Sequence, residues 1–579
     1  MDSNGHVWLR KSLFRAGAIL LGILPFIAIE LGLRLLGLGR PIDASASLSG
    51  FNRNIPLFER QATVYRTALS RQPFFSAQEF AAAKPTNSFR IFCFGGSTVY
   101  GHPYLSDTAF PKWLEMELAG ADPAHHYEAI NCGGVSYASY RLAPLVKEVL
   151  AYQPDLIIVM TGENEFLEDR TYEAIKTRSA ACAWLEDAVH SLRILNVARR
   201  WIHGRQNSLS NRADVNSAAK LSPQIKTRLD DRSGYASYHR DDAWHNRVAS
   251  QFEESIRTMV ADCRVARVPI VLVKPGANLR DCPPFKSEHR PNLSPEEERS
   301  WQAAFDAASK LDEAAKPYEK LASAKELYQK AEKIDGEYAL LGWRLARLLD
   351  RLGKKSEALQ YYLRARDSDV CPLRAPTRHE QILERIAGDT KTPLVDTPKL
   401  LAAKSPDGIA GNDWYLDHVH PTIGGHQKIA RAISAQVREM GLVHSSVNWS
   451  DIERRAAYSR HLKVLGPNYL TDGQRRVEWL ENWARRERLL DETLPKDTRG
   501  FLHAGFRRLD FGDEDGAWDS FDEALKRDAS AANEIKEHAE ELRAEGRDED
   551  ADELLRHLGV KGPNSKNQAP DKLKHQPHN

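Results

Sequence analysis

The sequence predicts an α/β protein built around a parallel sheet, and three features predict it. Five short runs rich in Ile, Val, Leu or Phe, at Phe89 to Phe94, Tyr127 to Asn131, Asp155 to Met160, Val268 to Val273 and Thr392 to Asp396, are apolar on both faces. Segments of helical periodicity separate them, and strands buried on both faces and joined by helical crossovers make parallel sheets. Turn-forming and polar residues then follow the run ends directly, as FGGST after the first, NCGGVSYAS after the second and TGENEF after the third. Ligands of open parallel sheets bind at the carboxyl ends of strands. These loops are therefore expected to gather along one edge.

In chain order, Arg10, Lys11 and Arg15 precede an apolar stretch from Ala16 to Gly39 that only Glu30 and Arg34 interrupt, four residues apart on one helix face. Residues 1–40 read as a signal anchor, a single transmembrane helix that leaves the catalytic part outside the cytoplasmic membrane, on the periplasmic or cell-surface side. A cleaved signal peptide, with Ala44-Ser45-Ala46 as the cleavage site, is the alternative. Residues 41–85 are polar and poorly periodic, a juxtamembrane linker. Residues 86–296 carry the first four strands, with a helical insertion at about 167–260 whose middle, Asn207 to Asp242, is polar.

Residues 297–375 contain an internal repeat: Ala324, Tyr328 and Ala331 recur 34 positions later as Ala358, Tyr362 and Ala365, with Gly353 placed to turn the chain between two helices. The fifth strand lies in 376–445 and a helical connector in 446–498. The small-and-aromatic pattern returns in 499–561, where Gly512, Ala517, Phe521 and Ala524 are matched by Gly546, Ala551, Leu555 and Leu558. Both pairs resemble tetratricopeptide repeats, in which small residues let two helices close up while the aromatic fills the next interface. The resemblance implies a protein partner. Residues 562–579 read as a disordered tail.

The 81 basic and 80 acidic residues nearly cancel, so net charge calls for no nucleic-acid partner. The six cysteines show neither a CxxC pair nor zinc-ligand spacing, so neither a metal nor any cofactor is expected. Cys282 and Cys371 both precede proline in loops, where a disulfide could form in an oxidising compartment.

Ser97 would project its oxygen where a strand turns into a helix, close to backbone amides able to receive negative charge. Acyl transfer to a serine also needs a base, a group that orients the base, and oxyanion donors. WYLDHVHPT supplies the first two in one turn, since Asp417 and His420 stand three residues apart after the fifth strand. His418 shares the loop without that spacing.

Together FGGST, NCGGVSYAS, TGENEF and DHVH resemble, in order, the four blocks of the SGNH or GDSL-type hydrolases over residues 86–290 and 376–445. The resemblance implies a flavodoxin-like sheet, Ser97 as nucleophile, His420 as base and Asp417 as its partner. It also implies an oxyanion amide from the second block, at Gly134 or alternatively Ser136, and a side-chain donor at Asn164. Gly96 stands where the family usually has aspartate, and Glu165 replaces another frequent aspartate.

Arg141, Lys274, Asn278 and Arg280 follow strand ends and could bind an anionic or sugar substrate, or could pair with acidic residues of neighbouring loops. Glu163 and Glu165 flank Asn164 on one loop, which suits a supporting role better than a second catalytic system. The function expected is a membrane-anchored serine esterase acting on an ester of a short acyl group, borne by a carbohydrate or a lipid. An O-acyltransferase using the same serine, and a repeat scaffold with an inactive hydrolase domain, are the alternatives.

Overall fold

The computed structural model describes residues 21–35 apart from 23, 55–172, 235–313, 318–444, 446–484, 498–510, 514–544 and 548–558, with isolated positions near 193–197. Two compact units make up the chain, residues 1–485 and 486–579. Ala16 to Leu20, the Ala44-Ser45-Ala46 site, most of the polar middle of the expected insertion, Gly512, Gly546 and the tail lie outside the described residues. Residues 24–35 are helical, and Arg34 Nε donates to Glu30 Oε1 at 2.8 Å, the pairing their spacing predicts. Among the described residues, no helix is long and apolar enough to cross a membrane.

The first elements are β1 (Phe58–Gln61), β2 (Val64–Thr67) and β3 (Glu79–Ala81), a small antiparallel sheet in the segment expected to be a linker. This corrects the linker reading: Leu57, Phe58, Phe74, Phe75 and Phe80 are buried in the core of the main sheet. The five predicted strands all form, as β4 (Ser88–Gly95), β5 (His126–Gly133), β6 (Leu156–Met160), β7 (Ile270–Lys274) and β8 (Leu394–Asp396). They pair in parallel in the order β5-β4-β6-β7-β8, the flavodoxin-like arrangement whose ligand site lies where strand order reverses.

Each strand is apolar on both faces because alternate residues enter two cores. Phe92, Phe94, Ile157, Val159, Ile270 and Leu272 pack on one side, and Ile91, Cys93, Ile158, Met160, Val271 and Val273 on the other. Burying each large apolar side chain contributes roughly 1.5–3 kcal/mol.

Helices cover both faces. After α1 (Ser97–Tyr100) come α2 (Phe110–Ala121), α3 (Ser139–Val149), α4 (Glu165–Thr171) and α5 (Asp242–Val265). Although α5 falls partly within the expected insertion, its Phe252, Ile256 and Met259 pack on the sheet with α3, so it belongs to the sheet layer. Between β7 and β8 lie α6 (Pro295–Glu313), α7 (Tyr318–Ile334), α8 (Ala339–Arg351), α9 (Lys355–Asp367) and α10 (Thr377–Thr390). Ala324, Tyr328 and Ala331 of α7 and Ala358, Tyr362 and Ala365 of α9 are all buried, and Gly353 takes the left-handed backbone (φ 75°) in the α8–α9 turn.

After β8 come α11 (Thr397–Ala402), α12 (Ile423–Glu439), which packs on the second core, and α13 (Asp451–Ala484), interrupted at Gly466. The second unit holds α14 (Thr498–Asp510), α15 (Glu514–Arg527), α16 (Ala531–Ala544) and α17 (Asp548–His557). Ala517, Phe521, Ala524, Ala551 and Leu555 are buried in its core.

Candidate active site

The sheet register brings the three predicted loops together. Gly95, Gly133 and Met160 lie abreast at the carboxyl ends of β4, β5 and β6. Two glycines make this closeness possible: a Cβ on Gly95 would lie 2.1 Å from the Met160 carbonyl, and one on Gly133 2.1 Å from the Tyr100 amide. Ser97 then opens α1, where the Val99 and Tyr100 N–H groups bond Gly96 O at 3.1 Å and those of Ser97 and Thr98 make no backbone hydrogen bond among the described residues.

His420 Nε2 lies 2.7 Å from Ser97 Oγ, and His420 Nδ1 lies 2.6 Å from Asp417 Oδ2. The serine hydroxyl donates to Nε2 while Nδ1–H donates to the carboxylate, which sets the tautomer needed to accept the serine proton. The Asp-x-x-His spacing works because Asp417 Oδ1 accepts from the Val419 and His420 N–H groups at 2.9 and 2.8 Å, folding the loop round its own carboxylate. All three residues are buried. Burial alone would raise the Asp417 pKa, but the two imidazoles of His420 and His418 outweigh it and hold the carboxyl well below its ordinary range.

His418 is less independent than its spacing suggests, since its Nδ1 stands 3.3 Å from the same Asp417 oxygen and its ring meets Phe285 edge to face. Asp417, His418 and His420 could hold a metal ion, with ligand atoms all within 4.8 Å of one another. The lone pairs of Asp417 Oδ2 and His420 Nε2, however, already face hydrogen-bond partners.

The oxyanion side is decided by which amides remain unspent. Gly134 N–H donates to Gly95 O at 2.9 Å, extending the strand ladder, so Gly134 is withdrawn as the second-block donor. Val135 N–H is likewise spent on Phe74 O at 2.9 Å. Ser136 N–H makes no hydrogen bond among the described residues, and Ser136 sits in the left-handed region at φ 60°, a strained geometry typical of functional loops. Of the two alternatives, Ser136 has the available amide.

Asn164 lies against the turn that carries Ser97: a Cβ on Gly96 would come within 2.3 Å of its Nδ2. One Nδ2 proton goes to Tyr137 O at 3.3 Å, which leaves the second unspent by that bond. Asn131 ties the loops together, donating to Val99 O at 2.8 Å and accepting from Gly133 N–H at 2.9 Å.

Thr98 Oγ1 donates to Glu163 Oε1 at 2.7 Å, fixing the loop after β6 to α1, and burial raises the Glu163 pKa despite that bond. Glu165 accepts from Ser139 N–H and Oγ–H at 2.8 and 2.9 Å, seating the start of α3, while burial pushes its carboxyl up to about 8. Both carboxylates are thus committed to hydrogen bonds within the loops at the sheet edge.

The four residues considered for substrate binding are committed elsewhere. Arg141 pairs with Glu168 in full burial and covers the Tyr137 ring. Lys274 joins Asp396 and Glu384 at 2.7 and 2.5 Å. Asn278 donates from Nδ2 to Asp417 O and from its amide to His418 O, bracing the loop that carries Asp417 and His420. Arg280 pairs with Asp350 at 2.9 Å. Arg141, Lys274 and Arg280 thus pair with carboxylates, while Asn278 is spent on loop carbonyls and the Asn412 side chain rather than on an acidic group.

Three contributions had no signal in the motifs. Residues 55–85 back the Ser136 loop through Phe74 and Phe75. The α13 helix braces the chain that follows Ser97, since Arg476 Nε donates to Pro103 O at 2.6 Å and Tyr469 meets Thr108 at 3.2 Å. His102, five residues after Ser97, puts its ring edge to face on His420 with centroids 5.3 Å apart.

No protein-family model matches the sequence, and neither does any curated protein sequence. Solved structures do match. The acetylxylan esterase Axe2 of Geobacillus stearothermophilus is 13% identical, with 62% of this chain and 95% of that one covered at a TM-score of 0.27. A GDSL-like lipase of Bacteroides thetaiotaomicron is 11% identical, with 62% and 93% covered at 0.25. An α/β hydrolase from the metagenome of Lake Arreo is 12% identical, with 60% and 94% covered at 0.26. At these values the likeness carries no functional argument, and the reading below stands on the geometry of the site.

Proposed function

We propose that the protein is a serine ester hydrolase of the SGNH type, and the observation that carries the proposal is the unbroken chain from Ser97 Oγ through His420 to Asp417. Ser97 Oγ attacks the acyl carbon while its proton passes to His420 Nε2, and Asp417, held ionised, stabilises the imidazolium. The oxyanion is received by the N–H of Ser97, the N–H of Ser136 and Asn164 Nδ2. The C–O bond to the alcohol breaks as His420 returns the proton to the leaving oxygen. Water then gives a proton to His420 and its oxygen to the acyl carbon, the Ser97 ester bond breaks, and the proton returns to Ser97. A pure scaffold has no use for this hydrogen-bond chain.

Treatment with a fluorophosphonate tests the reading alongside turnover of p-nitrophenyl acetate, a short activated ester. The wild type should be labelled and should turn over, and Ser97→Ala should do neither while keeping its melting temperature. Labelling undiminished in folded Ser97→Ala would overturn the assignment. Two further parts of the proposal rest on sequence pattern. An anchor at Ala16 to Gly39 that leaves the rest of the chain outside the cytoplasmic membrane would be refuted by a C-terminal reporter active only in the cytoplasm. The tetratricopeptide-like helix pairs are proposed to hold a protein partner.

A further inference from the structure

His102 is not used by the chemistry above, yet its ring lies against that of His420. Its backbone N–H donates to the carbonyl of Ser97 itself at 3.1 Å, so the residue is tied to the nucleophile's turn. Its ring lies edge to face on the His420 ring, at 5.3 Å and 72°. The side chain is only 2% exposed, and neither ring nitrogen has a hydrogen-bond partner among the described residues. Buried polar groups are nearly always paired, so an imidazole with both nitrogens unpaired beside a reactive group points to a ligand that arrives from outside the chain.

The chemistry of that ligand follows from the state of the ring. Burial, reinforced by the neighbouring His420, holds the His102 pKa well below its ordinary value, so the ring stays neutral and offers one donor and one acceptor. A hydroxyl group offers the complementary pair. The hydroxyl-bearing species that must stand next to His420 are the alcohol that departs during acylation and the water that replaces it during deacylation.

We propose that His102 is a substrate-contacting residue that hydrogen-bonds the alcohol oxygen of the ester, and later the hydrolytic water, and aligns it for proton exchange with His420. The inference rests on the esterase reading above. It makes an aliphatic alcohol, whose oxygen must be protonated as it leaves, the natural leaving group.

His102→Phe keeps a ring against His420 and deletes both nitrogens, and His102→Gln keeps a donor and an acceptor. With kcat/KM measured on p-nitrophenyl acetate and on ethyl acetate, His102→Phe should lose about tenfold or more on the alkyl ester, the scale of a lost hydrogen bond at a reacting atom. On the aryl ester, whose phenolate leaves without a proton, the loss should stay below about threefold. His102→Gln should recover part of the alkyl-ester rate. Equal losses on both esters, or none on either, would mean the ring only packs on His420 and would overturn the inference while leaving the esterase reading intact. A wild type that neither turns over nor accepts the fluorophosphonate label would overturn both.

Discussion

Placing an alanine at Gly96 tests the oxyanion arrangement without touching any group proposed to react. The backbone there has φ −83°, which any residue adopts, so the substitution brings no conformational strain of its own. The new Cβ would lie 2.3 Å from Asn164 Nδ2 and 2.9 Å from Glu163 Oε1, whereas ordinary contact begins at 3.4 Å. The Asn164 amide must therefore retreat by about 1.1 Å, the difference between 3.4 and 2.3. A misplacement of that size at a catalytic group costs about a hundredfold in rate, close to the 10²- to 10³-fold typical of losing one oxyanion donor. Overpacking itself should cost about 1 to 3 kcal/mol of stability, which a domain of this size tolerates.

The assay is kcat on p-nitrophenyl acetate for Gly96→Ala, Asn164→Ala and the double variant, with a melting curve for each. If both single changes remove the same donor, the double variant should be no slower than Asn164→Ala alone. Multiplying losses, or a wild-type kcat in Gly96→Ala, would refute the placement of Asn164. The same crowding explains why glycine stands at this position: a larger residue fits this backbone only if Asn164 moves.

His420→Ala should reduce kcat by about 10³-fold or more, while His418→Ala should cost about tenfold through the loosened Asp417 carboxylate; equal losses would count against His420 as the base. Ala358→Trp forces an indole into a fully buried position and should lower stability by about 1 to 3 kcal/mol, and an unchanged melting temperature would contradict the helix-pair packing. His426 is buried, accepts from the Phe110 amide at 3.2 Å, and has its pKa lowered by burial, and secondarily by His420, to about 3 against an ordinary 6.5. Below pH 6.5 the unfolded chain therefore binds a proton that the folded chain refuses, and stability is lost as pH falls toward 3, by about 1.4 kcal/mol per pH unit. His426→Asn, which retains an acceptor for Phe110, should show a shallower fall in the denaturant midpoint between pH 6.5 and 4 than the wild type, and parallel curves would refute the assignment.

The sheet and the Asp417–His420 pair were legible in the sequence because both depend on short-range pattern, whereas the contact of His420 with Ser97 spans 323 residues and is made by the fold. Phe92 and Phe94 face one core and Ile91 and Cys93 the other simply through the two-residue alternation of a strand, so an unbroken apolar run announces a strand covered on both faces. Asp417 and His420 are joined by a single turn, and that hydrogen bond is set by three-residue spacing. What tertiary structure alone decided concerns groups whose partners lie far along the chain. The motif puts the donor at Gly134, with Ser136 as the alternative, but the β4 register consumes the Gly134 amide on Gly95 O and leaves that of Ser136 unspent. Lys274 and Arg280 look available until Glu384, Asp396 and Asp350 arrive from elements more than 70 residues away to neutralise them, or in the case of Arg280 from 70 away. Residues 55–85 show little periodicity because their strands are three or four residues long, too short to display one, and they are ordered by burying Phe58, Phe74 and Phe80 against the sheet. Local periodicity reports which way a side chain faces; register and long-range packing determine which polar groups remain unspent, and the proposed chemistry depends on those.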